Sequence, residues 1–146
     1  MPITTTHIWR APNRRGVNNK SSASLAANLF LVPDGDTQTG ALPDARVPAT
    51  ASTPVVLLGI SEAAIPAGKT GSVASDSGDV VVGTASGNIA LGNRLIVDTG
   101  ATKEGRAKAA AFPAEASVLI AGTALEAAAD GEQFYIRLAP KIRSVA

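Results

Sequence analysis

The chain reads as an all-β protein, a small sandwich or barrel of short antiparallel strands behind an extended N-terminal arm. Three observations support this. From about Pro54 onward, aliphatic runs of four to six residues recur between Gly-containing breaks. In Gln133–Leu138, Phe134, Ile136 and Leu138 alternate with Gln133, Tyr135 and Arg137, the period-two pattern of a half-buried strand. No long helical period competes, and turns every 8–15 residues suit a sandwich or barrel.

The elements follow in order. Residues 1–50 are rich in Thr, Asn, Ser, Pro and Asp, and Pro12, Pro33, Pro43 and Pro48 interrupt any long element. Ser24–Leu31 suits a short helix or a strand. The region is read as an extended arm that gains order by lying on something, because one or two apolar anchors cannot offset its ordering entropy. Residues 51–146 are read as the β-rich domain. Its expected strands are Val55–Ile60, Gly71–Ser75, Val80–Val82, Arg94–Asp98, Val118–Ala121 and Gln133–Leu138. The Ala-rich stretches 107–111 and 124–129 lack caps and are read as loop or single turn. An internal echo runs through this domain: Gly59 and Gly68 bracket Glu62-Ala63-Ala64, and Gly122 and Gly131 bracket Glu126-Ala127-Ala128. Each block is strand, compact bend, strand.

Composition narrows the function classes. The 146 residues carry 13 Lys+Arg and 12 Asp+Glu, which excludes a generally basic nucleic-acid binder. The absence of Cys removes disulfide, thiolate-zinc and Cys-nucleophile chemistry, and with one His no metal site or cofactor is expected. No run approaches the ~20 apolar residues of a membrane-spanning helix, so no membrane partner is expected. Charge is uneven: residues 1–20 carry +4, residues 21–136 carry −6 and residues 137–146 carry +3. An acidic body with basic ends suits docking on an acidic surface. The candidate partner-binding residues are Trp9, Arg10, Arg14, Arg15, Lys20 and Phe30. Trp and Arg dominate interface hot spots, and a wet Trp in a polar segment is costly unless it docks or joins the core. The apolar fraction is mostly Ala and Val, and such a thin core favours self-association.

Motifs for catalysis are weak. Gly68-Lys69-Thr70 lacks the preceding P-loop glycine, since position 63 is Ala63. Ile96-Val97-Asp98-Thr99-Gly100-Ala101 resembles the active-site loop of retroviral-type aspartic proteases, where two aspartates of a homodimer share a proton. The later strand of that family is not matched. Leu119-Ile120-Ala121-Gly122 has Ala before the Gly and comes too soon. A homodimeric protease using Asp98 is therefore the alternative reading. His7 has no acid within twenty residues, and Asp34, Asp36 and Asp44 are read as turn residues.

Val55–Pro140 resembles another family on better grounds. The matching features are Leu57-Leu58-Gly59-Ile60, then Ile65-Pro66-Ala67-Gly68-Lys69 leading into Gly71-Ser72-Val73-Ala74. Ile89-Ala90-Leu91-Gly92-Asn93-Arg94-Leu95 with Asp98 follows, and above all Ala121 to Glu132. In order and spacing these resemble tailed-phage capsid decoration, or cement, proteins. The resemblance implies a non-enzymatic homotrimer made in the host cytoplasm. It would sit on the outer surface of an icosahedral head against the major capsid protein, with no direct nucleic-acid contact. The Pro/Thr/Asn-rich first fifty residues depart from the shorter start usual in that family.

Overall fold

The computed structural model describes residues 14–35, 42–111 and 118–143. Its ten strands are β1 Arg14–Asn19, β2 Phe30–Pro33, β3 Asp44–Arg46, β4 Gly59–Ser61, β5 Thr70–Ala74, β6 Val80–Ser86, β7 Arg94–Val97, β8 Ala107–Ala109, β9 Val118–Ala124 and β10 Gln133–Arg143. They close into two five-stranded barrels, one ordered β1-β3-β2-β4-β5 and the other β6-β8-β7-β9-β10. The all-β expectation holds.

The second barrel repeats the first strand for strand. β1 and β3 run parallel, as do β6 and β8, and every other pair in both barrels is antiparallel. The lone bridge Leu25–Ile65 has its counterpart in Ile89–Ala128. The bend after each bridging residue is also shared. It needs a positive φ three positions on, at Asn28 (62°), Gly68 (71°), Gly92 (84°) and Gly131 (82°), which is why Gly or Asn stands there. The sequence echo is therefore the β4–β5 and β9–β10 halves of a duplicated barrel. A Cβ on Gly59 would lie 2.4 Å from the Ala74 carbonyl oxygen, and one on Gly122 would lie 2.2 Å from that of Arg137. Both glycines admit the same close approach of a neighbouring strand.

Five strands enclose little space, since barrel diameter grows with strand number. Small side chains fill it. The first barrel buries Val17, Leu25, Leu31, Ala45, Ile65 and Val73. The second buries Val81, Ala85, Leu95, Ala107, Phe134, Ile136 and Leu138, among others. The Ala-rich stretch 107–111, read as loop or turn, supplies β8 over Ala107–Ala109, with Ala107 fully buried where β8 pairs with β6 and β7.

The arm expected over residues 1–50 differs from what is seen. Residues 14–46 supply β1, β2 and β3, three of the first barrel's five strands. Their sequence looked polar because each strand presents only a few inward residues, such as Val17, Leu31 and Ala45, to a narrow interior. Residues 1–13 lie outside the described residues. Val55–Ile60 also differs from expectation. Only Gly59–Ser61 pairs in a sheet, while Leu57 packs on the second core and Leu58 on the first. The segment before them crosses the second barrel, with Ala51 N–H donating to the Thr99 carbonyl at 2.8 Å and Thr99 Oγ1 to the Ser52 carbonyl at 3.0 Å.

The barrels are fused, not strung. Phe30, Ile60 and Ala74 point out of the first barrel and are fully buried in the second barrel's core. Phe30 N–H donates to the Gly105 carbonyl at 2.8 Å, and Thr84 N–H donates to the Asn28 carbonyl at 3.1 Å.

Candidate interaction surface

Arg14 opens β1, paired across to Ala74, and its guanidinium meets Glu62 Oε1 and Oε2 at 2.8 and 3.1 Å. Arg15 reaches Asp76 Oδ1 at 3.2 Å. Both arginine side chains are more than 60% exposed, so these pairs contribute little stability but hold the guanidinium groups in place. Lys20 lies just beyond the other end of β1, ~20 Å away at ~3.3 Å per residue. There the buried Asn19 donates to the Ala23 and Ile65 carbonyls, both at 2.9 Å, and tethers the following loop to the 65–68 bend. As consecutive strand residues, Arg14 and Arg15 project to opposite faces of β1 towards different acids, and Lys20 lies apart from both. Phe30 is fully buried between the barrels and offers no surface to a partner. Its apolar side chain, exposed in an extended arm, is instead consumed by the joint. Trp9 and Arg10 lie outside the described residues.

A second basic surface was not singled out from the sequence. On the outer face of the second barrel, Arg94, Thr123 and Arg137 lie directly across β7, β9 and β10 from one another. Arg94 and Arg137 are exposed, and among the described residues no carboxylate lies within ion-pair distance of either. Tyr135, 49% exposed, lies two residues before Arg137, and Leu91, 70% exposed, tops the bend leading to Arg94. The alternation in Gln133–Leu138 had placed Tyr135 and Arg137 on one face, but only strand pairing adds Arg94.

Asp98 ends β7 as a loop staple. Its Oδ2 accepts a hydrogen bond from Ser86 Oγ, and its Oδ1 accepts from Gly100 N–H at 2.9 Å. Its backbone bonds Arg106 and Gly105. Burial pushes the carboxyl up, but the bonds from Ser86 and Gly100 and the charges of Lys108 and Lys103 outweigh it, so it titrates below the usual carboxylate range. Among the described residues lining the adjacent cleft of about 240 Å³, Asp98 is the only acid, beside Ser52, Pro54, Ile96 and Lys108. Among the described residues no three His, Cys, Asp or Glu side chains cluster as a metal site.

The described residues thus form two fused barrels with exposed basic side chains on their surfaces, and Asp98 serves as a hydrogen-bonded loop staple. The model of the phage cement protein family matches residues 30–139, across both barrels, and the chain belongs to that family. Among solved structures, the chain is similar to the N base of the head fibre gp8.5 of bacteriophage phi29. The TM-score is 0.60 at 17% identity, covering 87% of this chain and 95% of that one. At that identity the likeness concerns the fold. No curated protein matches. The protein is thus a capsid-associated structural protein of a phage, all-β as the sequence indicated.

Proposed function

We propose that this protein is a decoration protein that binds the outer surface of the assembled head as a homotrimer, against the major capsid protein, and stabilises the shell. The observation that carries the reading is the family match spanning both barrels. Binding the assembled shell and not loose subunits stabilises it by mass action, and several contacts per oligomer raise avidity. The small cores of the two barrels are consistent with a need for further burial between copies.

Residues 1–13, with Trp9 and Arg10, are proposed to extend the contact from the Arg14–Arg15 end of β1. Removing residues 1–20 would delete a barrel strand, so the informative truncation ends at Asn13. The test adds purified protein to heads stripped of decoration. Saturable co-sedimentation, greater resistance of the heads to heat, and a solution mass three times 14.6 kDa by light scattering are expected. Absence of head binding overturns the reading. A truncated protein that binds as tightly as the intact one removes Trp9 and Arg10 from it.

A further inference from the structure

The duplication makes each surface position in one barrel comparable with its counterpart in the other. In the first barrel, Phe30, Ile60 and Ala74 form one row across β2, β4 and β5. The same row in the second barrel is Arg94, Thr123 and Arg137 across β7, β9 and β10. The correspondence rests on pairing: Phe30 faces Ile60 one place before Leu31 faces Gly59, and Arg94 faces Thr123 one place before Leu95 faces Gly122.

The first barrel's row is fully buried, because it docks on the second barrel. In the first barrel this face is buried against a neighbouring barrel, and among the described residues no further barrel covers the matching face of the second. There the apolar trio is replaced by two exposed arginines flanking a threonine. Neighbouring strands lie ~4.8 Å apart, so the two Arg backbones sit roughly 10 Å apart with Thr123 between them. That spacing suits two carboxylates on one flat surface, each able to take a guanidinium fork. Tyr135 and Leu91 add an aromatic and an aliphatic contact at the edge, the mixture that dominates interface hot spots.

We infer that the Arg94–Thr123–Arg137 face of the second barrel docks on a carboxylate-bearing patch of the capsid shell, in the geometric role that the Phe30–Ile60–Ala74 face plays inside the molecule. The inference rests on the decoration reading and names the surface that reading needs. The charge explains why the free face does not simply recruit another copy's barrel. Two guanidinium groups cannot enter the kind of apolar seat that Phe30 and Ile60 occupy without losing their hydration.

The test uses the full chain on undecorated heads, with Arg137→Glu, Arg94→Glu/Arg137→Glu, and a control, Lys69→Glu, which makes the same change of charge as the single variant at an exposed bend of the first barrel. Thermal melting establishes that each variant is folded, and light scattering reports its mass. The double reversal is expected to weaken co-sedimentation at least about tenfold. The single Arg137→Glu should fall between it and wild type, Lys69→Glu should bind as wild type does, and wild-type binding should weaken as salt rises. If the folded double variant binds heads like wild type, the inference fails while the decoration reading stands. If wild type itself fails to bind, the reading fails first. A double variant that keeps head affinity but loses its oligomeric mass shows that this face meets a second copy, which also overturns the assignment.

Discussion

The two barrels share a topology and differ in what covers one face. In the first, the row Phe30–Ile60–Ala74 is sealed by the second barrel; in the second, the row Arg94–Thr123–Arg137 meets solvent. Backbone pairing is the same, so the strand ladder does not dictate which chemistry stands there. Burial does. A row that loses all contact with water must be apolar, and a row that keeps water can carry charge. One fold thus serves once as an internal joint and once as an outward surface.

The comparison breaks most sharply on exchange of the two first residues. Phe30→Ala should cost about 3–5 kcal/mol, the range for a fully buried Phe, and should do so in one transition, because the residue belongs to the second barrel's core while standing on the first barrel's strand. Denaturant unfolding followed by far-UV circular dichroism reads this. Phe30→Arg should prevent folding outright, since it places an unpaired charge at the joint. The reverse exchange, Arg94→Phe, should leave stability within ~0.5 kcal/mol and show as concentration-dependent self-association in light scattering. Equal stability losses for Phe30→Arg and Arg94→Phe would end the distinction between joint and surface.

The glycine pair tests how far the duplication extends into the backbone. Gly59→Ala and Gly122→Ala each push a methyl group onto a carbonyl oxygen of the neighbouring strand, and each should cost about 1–3 kcal/mol by overpacking. Similar losses would show that both barrels need the same close approach. A neutral result at either one would show that its strand can move away.

A pH-dependent effect belongs to the Asp98 staple. Its folded carboxyl titrates below the ordinary range, so the folded chain binds fewer protons there than the unfolded chain. Its stabilisation is in full above pH ~4 and is lost as pH falls through the depressed value. Asp98→Asn should cost about 1–3 kcal/mol at neutral pH, through the weakened bonds to Ser86 and Gly100. That gap should narrow as pH falls below ~4, in parallel urea titrations of the two proteins. Head binding should be unchanged.

The β class, the strands around Val80, Arg94, Val118 and Gln133, and the Gly59/Gly122 echo were legible because alternation and turn glycines are local signals. Residues 14–46 were not legible as strands. Their inward residues are few, and the partners of β1, β2 and β3 include β4 and β5, far along the chain. Phe30 shows the same gap at a single residue. An aromatic in a polar stretch fits an exposed anchor or a joint, and only its neighbours decide. Of the candidate surface, Arg14 and Arg15 were visible as a basic run, and Tyr135 and Arg137 as one face of a strand. Arg94 joins Arg137 only through β9.

The amino-acid order by itself determined that this chain forms short strands, where its bends fall, and that its interiors must be narrow, because side-chain volume, period and positive-φ residues are properties of single positions and near neighbours. Only the tertiary structure decided that there are two closed copies, that one apolar row joins them, and that its basic counterpart is left facing outward. Strand pairing and burial are relations between residues distant in the chain, and their free energy does not exist until those residues meet.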